Sequence, residues 1–142
     1  MKILLLDDKE MNNSLLMRFL NTQKFTDITC LTSGEKTLAL LDNDKKKGQP
    51  FDVLFCDVIM PGGPDGFEMV KRIRASEKTR ESSNPLHKAP KALIIISLTA
   101  MHSAKSEEKL MDLGADFFVT KPIEKLTLET LMKDVAKKLT KN

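Results

Sequence analysis

Four apolar runs in this chain each end in a polar group suited to holding a phosphoryl group or a hard metal ion. Leu4-Leu5-Leu6 runs into Asp7-Asp8, and residues 51–56 run into Asp57. Ile94-Ile95-Ile96-Ser97-Leu98 ends at Thr99, and Phe117-Phe118-Val119-Thr120 ends at Lys121-Pro122. Three carboxylates form a hard-oxygen set suited to Mg²⁺, with a backbone carbonyl and water completing an octahedron. Lys121 supplies a point charge for one phosphoryl oxygen and the Thr99 hydroxyl a donor for another, with the small Ala100 leaving room. Three carboxylates against one ammonium leave the empty site at roughly −2, hostile to a phosphoryl group; Mg²⁺ brings it to about zero. Carboxylates do form aspartyl phosphates, and such transfer depends on positioning and charge neutralisation. Asp57 is the candidate nucleophile.

These groups lie far apart in sequence, so they meet only if the runs are neighbouring parallel strands that end at one edge. The pattern along the chain predicts that arrangement. Strands are expected at residues 2–6, 26–31, 52–56, 92–98 and 116–120. Between them lie helical stripes: Leu15, Leu16, Phe19 and Leu20; Leu38 and Leu41; then Phe67, Val70 and Ile73. Thr32-Ser33-Gly34-Glu35 matches a capping box for the second helix. Ser103 caps a fourth helix, with Glu107 and Glu108 near its positive end. Thr127 caps a last one carrying Leu128, Leu131, Met132, Val135 and Leu139. Five alternations imply a doubly wound, five-stranded parallel sheet with helices on both faces. Residues 76–90 are polar and aperiodic, hold Pro85 and Pro90, and read as an exposed insertion without regular structure.

At 142 residues the chain fits a single domain, residues 1–142, and its 41% apolar and 30% charged residues are ordinary for a globular protein. The net charge of +3 is small, and Lys45-Lys46-Lys47 has no interleaved aromatics, so no direct nucleic-acid binding is expected. Cys30 and Cys56 lie in strand-like runs, as reduced core thiols of a cytoplasmic protein do. No run approaches a membrane span. His87 and His102 show no partner pattern for metal or catalysis, and the eight methionines read as core filler.

The conjunction resembles a response-regulator receiver domain of two-component or phosphorelay signalling, a flavodoxin-like (βα)5 fold, over essentially the whole chain. The motifs are the acidic pair Asp7-Asp8, Asp57 within Asp57-Val58-Ile59-Met60-Pro61, Thr99-Ala100, and Lys121-Pro122 with Phe118 three residues before it. The resemblance implies that Asp57 accepts phosphate from a phosphohistidine. It implies that Asp7, Asp8, Asp57 and the backbone carbonyl of Ile59 hold Mg²⁺, while Thr99 and Lys121 bind the phosphoryl group. Phe118 is then the switch aromatic, and the Lys121-Pro122 bond is expected to be cis. Phosphate draws the Thr99 hydroxyl inward and vacates space that Phe118 fills. The fourth helix, with Lys105, Glu108, Lys109 and Asp112, and the fifth strand and helix report the change. Gly62-Gly63-Pro64 before Asp65-Gly66 is one residue longer than the family pattern.

The partner implied is a histidine kinase or a histidine-containing phosphotransfer domain, docking on Met11, Asn12, Leu15, Pro122 and Ile123. The protein itself is expected to be a monomer or weak dimer and not an enzyme beyond its own phosphorylation and slow dephosphorylation. Ile59 and Met101 flank the expected phosphate and offer no group to orient water, which implies a long-lived phosphoaspartate. The alternative is a Mg²⁺-dependent phosphohydrolase working through an aspartyl phosphate. Such enzymes resembling haloacid dehalogenases use an Asp-x-Asp pattern on the first strand, where this chain has Asp7-Asp8-Lys9. A flavin-nucleotide binder is disfavoured, because three converging carboxylates repel the cofactor's phosphate.

Overall fold

The computed structural model describes residues 1–83, 92–100 and 102–141. Among them run β1 (Ile3–Leu6), α1 (Glu10–Thr22), β2 (Ile28–Leu31), α2 (Gly34–Lys46) and β3 (Val53–Asp57). Then follow α3 (Gly66–Ser83), β4 (Ile94–Thr99), α4 (Ala104–Leu113), β5 (Phe117–Thr120) and α5 (Lys125–Thr140). All pairings are parallel, in the order β2-β1-β3-β4-β5. This is the expected doubly wound sheet. Its order reverses between β1 and β3, the place where such sheets bind ligands at their carboxyl edge.

The inner strands are continuous apolar runs because both of their faces are covered. Ile3, Leu5, Phe55, Ile94 and Ile96 share a core with Leu16 and Leu20 of α1 and with Leu128, Leu131 and Val135 of α5. The alternate residues Leu4, Leu6, Leu54, Cys56 and Ile95 share the opposite core with Met69, Val70 and Ile73 of α3 and Leu110 of α4. Every residue of β1, β3 and β4 is buried, while the edge strands β2 and β5 are mostly half-buried. That rigid centre carries the strand tips.

Several local expectations shift. Ser33, not Thr32, caps α2, accepting from the Lys36 N–H at 3.3 Å. Ser103 caps α4 as expected, accepting from the Ser106 N–H at 3.3 Å. In α5 the cap position is Glu124, and Thr127 lies inside the first turn. The expected structureless stretch does not begin at residue 76, because α3 continues to Ser83; the rest of it, residues 84–90, lies outside the described residues. None of the described side chains from Arg74 to Lys78 is buried in the core, and the sequence there lacks the apolar stripe that announces a helix. Cys56 is buried, but Cys30 on the edge strand is exposed rather than core. No helix among the described residues is long and apolar enough to cross a membrane.

Candidate functional site

Leu6 of β1 pairs with Cys56 of β3, so the next residues, Asp7 and Asp57, leave the sheet side by side. Asp7 is 3% exposed and Asp57 6%, while Asp8 is more open to solvent. Oxygens of Asp7, Asp8 and Asp57 lie within 4.8 Å of one another. Three hard oxygens at that separation, two of them buried, fit a small divalent cation that keeps part of its water shell.

Lys121 enters from the tip of β5. Its Nζ hydrogen-bonds an Asp7 carboxylate oxygen and lies 3.1 Å from Oδ1 of Asp57. Its backbone N–H donates to the Thr99 carbonyl at 2.6 Å, which ties the end of β5 to the end of β4. The Lys121-Pro122 peptide is cis, as the resemblance implied. Thr99, the last residue of β4, is 4% exposed.

Electrostatics at this edge are unbalanced. Burial raises the Asp57 carboxyl above its ordinary 3.8; Lys121 opposes the rise, and Asp7 and Asp8 add to it. For Lys121 burial works downward, but the hydrogen bonds and charges of Asp7 and Asp57 outweigh it and leave the ammonium above 10.5. The Cys56 thiol, whose Sγ donates to the Asp57 carbonyl at 3.4 Å, is pushed far up by burial and then by Asp57. It stays a thiol and takes no part in nucleophilic chemistry.

The longer loop after β3 is absorbed locally. Gly62 has φ +84°, a left-handed turn that glycine adopts at no steric cost. Gly66 N–H then donates to the Val58 carbonyl at 2.8 Å. A Cβ at Gly66 would stand 2.5 Å from Val58 Cα and 2.8 Å from the Asp57 carbonyl oxygen, so only glycine lets α3 start this close to the acid. Asp65 accepts from the Glu68 N–H at 2.9 Å and holds the first turn of α3.

Two amides of α1 reach the acidic edge in a role that the sequence did not suggest. Asn12, assigned from sequence to partner contact, donates from Nδ2 to Asp7 Oδ2 at 3.1 Å. Asn13, 4% exposed, donates to the carbonyls of Leu31 at 3.0 Å and Asp7 at 3.4 Å, pinning α1 to the tips of β1 and β2. The available signal was two amides on the first turn of a helix that starts just after the acidic pair. Of the expected patch, Asn12, Leu15, Pro122 and Ile123 line one groove of about 440 Å³, together with Leu16, Phe19, Asp7 and Lys121. Met11, which does not line this groove, is 82% exposed, and Leu15 is 47% exposed.

Phe118 is half-buried against the α3–α4 core, in one register row with Cys56 and Ser97. The Ile59 side chain, two residues past Asp57, is 63% exposed. Met101 and His87 lie outside the described residues. Lys105, Glu108 and Asp112 are exposed on α4, and Lys109 places its ammonium 4.6 Å from the Phe67 ring centroid.

Comparison with known proteins agrees with this geometry. The family model described as response regulator receiver domain matches residues 3–133. Hybrid signal transduction histidine kinase L of Dictyostelium discoideum is 30% identical over 136 residues, 96% of this chain; the chain spans 7% of that relative's length. A putative response regulator from Chloroflexus aurantiacus superposes with a TM-score of 0.72 at 28% identity, covering 94% of this chain and 95% of that one. At 26% identity and a TM-score of 0.74 the chain also resembles one in the co-crystal of the Saccharomyces cerevisiae histidine phosphotransfer signaling protein Ypd1 with the receiver domain of Ssk1. That match covers 95% of this chain and 86% of the other. A buried acid at the switch point of a doubly wound sheet, two further carboxylates and a lysine from the last strand thus coincide with a family match over nearly the whole chain, and this protein belongs to the response regulator receiver domains of phosphorelay signalling.

Proposed function

We propose that Asp57 accepts a phosphoryl group from a phosphohistidine on a partner, and that the aspartyl phosphate switches the face around Phe118. One observation carries the reading. The Asp57 carboxylate, nearly buried, has oxygens of Asp7 and Asp8 within 4.8 Å and the Lys121 ammonium at 3.1 Å. A carboxylate oxygen of Asp57 attacks phosphorus, the N–P bond of the donor breaks, and its electron pair returns to the imidazole nitrogen. Asp7, Asp8, Asp57 and the Ile59 carbonyl are the residues that hold Mg²⁺, which supplies neutralisation of the charge developing on the phosphoryl oxygens. Lys121 exchanges its contact with Asp57 Oδ1 for a phosphoryl oxygen, and the Thr99 hydroxyl donates to another. Inward movement of Thr99 opens space for Phe118, whose fuller burial is worth about 1–2 kcal/mol, enough to bias two states roughly tenfold.

The donor is a histidine kinase or a histidine-containing phosphotransfer domain. The groove between α1 and the β5–α5 turn supports this, because it is apolar, open and floored by Asp7 and Lys121. The test is incubation with acetyl phosphate, with and without Mg²⁺, and intact-mass measurement beside Asp57→Asn. One Mg²⁺-dependent phosphoryl group, absent from the variant, is expected. Sustained turnover of a small phosphomonoester would favour a phosphohydrolase instead.

A further inference from the structure

His102 stands against Phe118. The ring centroids are 5.8 Å apart and the planes cross at 71°, an edge-to-face pair. His102 directly precedes Ser103, the cap of α4, and its Nε2 lies 3.1 Å from a carboxylate oxygen of Glu107 in the first turn of that helix. A residue before the cap that closes on the first turn fixes how the chain enters a helix, usually through an apolar pair. Here the closure is polar, and it orients an aromatic ring toward the neighbouring strand. Thr99 lies three residues upstream on the same β4–α4 connection. Glu107 accepts a hydrogen from the neutral Nε2–H tautomer, so the arrangement requires no charge on the imidazole.

We infer that His102 is a positioning residue of the switch: anchored to the first turn of α4 by Glu107, its ring holds Phe118 in the half-buried position and opposes its inward move. The inference rests on the Thr99–Phe118 reading of the function. An edge-to-face pair is a differential interaction, made in one ring position and lost in the other. By linkage, whatever favours the half-buried ring weakens occupancy of the phosphoryl site by the same factor. The pair also explains how α4 senses a ring on β5, because His102 belongs to the entry of that helix.

The experiment is calorimetric titration with beryllofluoride and Mg²⁺, a mimic of the bound phosphoryl group, on four variants beside the parent. These are His102→Ala, His102→Phe, Phe118→Ala and the double variant His102→Ala/Phe118→Ala, with thermal unfolding as a folding control. His102→Ala is expected to tighten binding by about two- to tenfold, the range of an aromatic pair. His102→Phe, which keeps a ring edge and loses the Glu107 contact, stays nearer the parent. In the Phe118→Ala background, His102→Ala changes nothing. Unchanged or weaker binding in His102→Ala, when Phe118→Ala alone alters affinity, overturns the brace and leaves the switch standing. If Phe118→Ala has no effect at all, the switch itself fails and the brace falls with it.

Discussion

At the edge where the strands begin, Arg74 of α3 donates to the Gly114 carbonyl at 2.9 Å, to Glu77 at 2.7 Å and to Asp116 at 2.9 Å. Asp116 also accepts from the Ile95 N–H at 2.8 Å and pairs with Lys138 at 2.6 Å, while Glu77 accepts from the Leu93 N–H at 2.9 Å. At the edge where the strands end, Asp7, Asp8 and Asp57 face Lys121. Both edges hold carboxylates and cations of which most, though not Lys138 or Asp8, are shielded from water. The cluster around Arg74 has two carboxylates against two cations among the described residues, with every carboxylate oxygen taken. The second has three carboxylates and one cation. Balance makes a clamp that joins α3, α4, β4, β5 and α5. Excess negative charge at the other edge makes a place that a divalent cation would neutralise, and only then is it no longer hostile to a phosphoryl group. Charge accounting separates the two, and burial alone does not.

The largest effect is expected at the balanced edge. Asp116→Ala removes one partner of Arg74 and the partners given above for Lys138 and the Ile95 N–H, and should lower stability by about 2–3 kcal/mol, less than for a fully buried pair because the site is partly hydrated. Urea unfolding checks it, and Mg²⁺ affinity should hold; a matching loss of metal affinity would mean that the two edges are not independent.

Next comes the rim of the unbalanced edge. Leu15→Asp should slow phosphotransfer from a phosphohistidine donor about tenfold, roughly 1.4 kcal/mol. Labelling by acetyl phosphate should stay nearly unchanged, since Leu15 lines the groove and is not one of the three carboxylates. Equal loss with both donors removes the docking role.

The smallest effect has the opposite sign to the first. In EDTA, Asp57→Asn removes one of three crowded carboxylates and should raise stability by about 1 kcal/mol at neutral pH. An acid whose folded-state pKa lies above its unfolded value contributes stability below the unfolded value and loses it as pH rises through the folded one. Because the Asp57 carboxyl is raised from 3.8, the gain from the variant should be smallest at or below that pH and should open as pH rises. A variant less stable than the parent at neutral pH would make this edge a clamp like the other.

The strand tips were legible because parallel strands with covered faces leave continuous apolar runs, and each run here ends in one polar residue: Asp7, Asp57, Thr99 or Lys121. The alternation of runs and stripes specified the doubly wound fold, and chain direction then placed the four tips together. Residue type and local order suffice for that much, since strand period and helix period are local properties of the chain. Other features carry no local mark. Arg74 and Asp116 are 42 residues apart, and each alone reads as a surface charge. Asn12 and Asn13 look like solvated helix residues until β1 and β2 bring the Asp7 carboxylate and the Leu31 carbonyl to them. His102 gains its meaning only when β5 sets Phe118 beside the entry of α4. Sequence by itself determined which chemistry collects at the carboxyl edge. Tertiary structure decided which amides hold the acids, which charges cancel and what leans on the Phe118 ring, because those are contacts between surfaces that no periodicity in a single segment encodes.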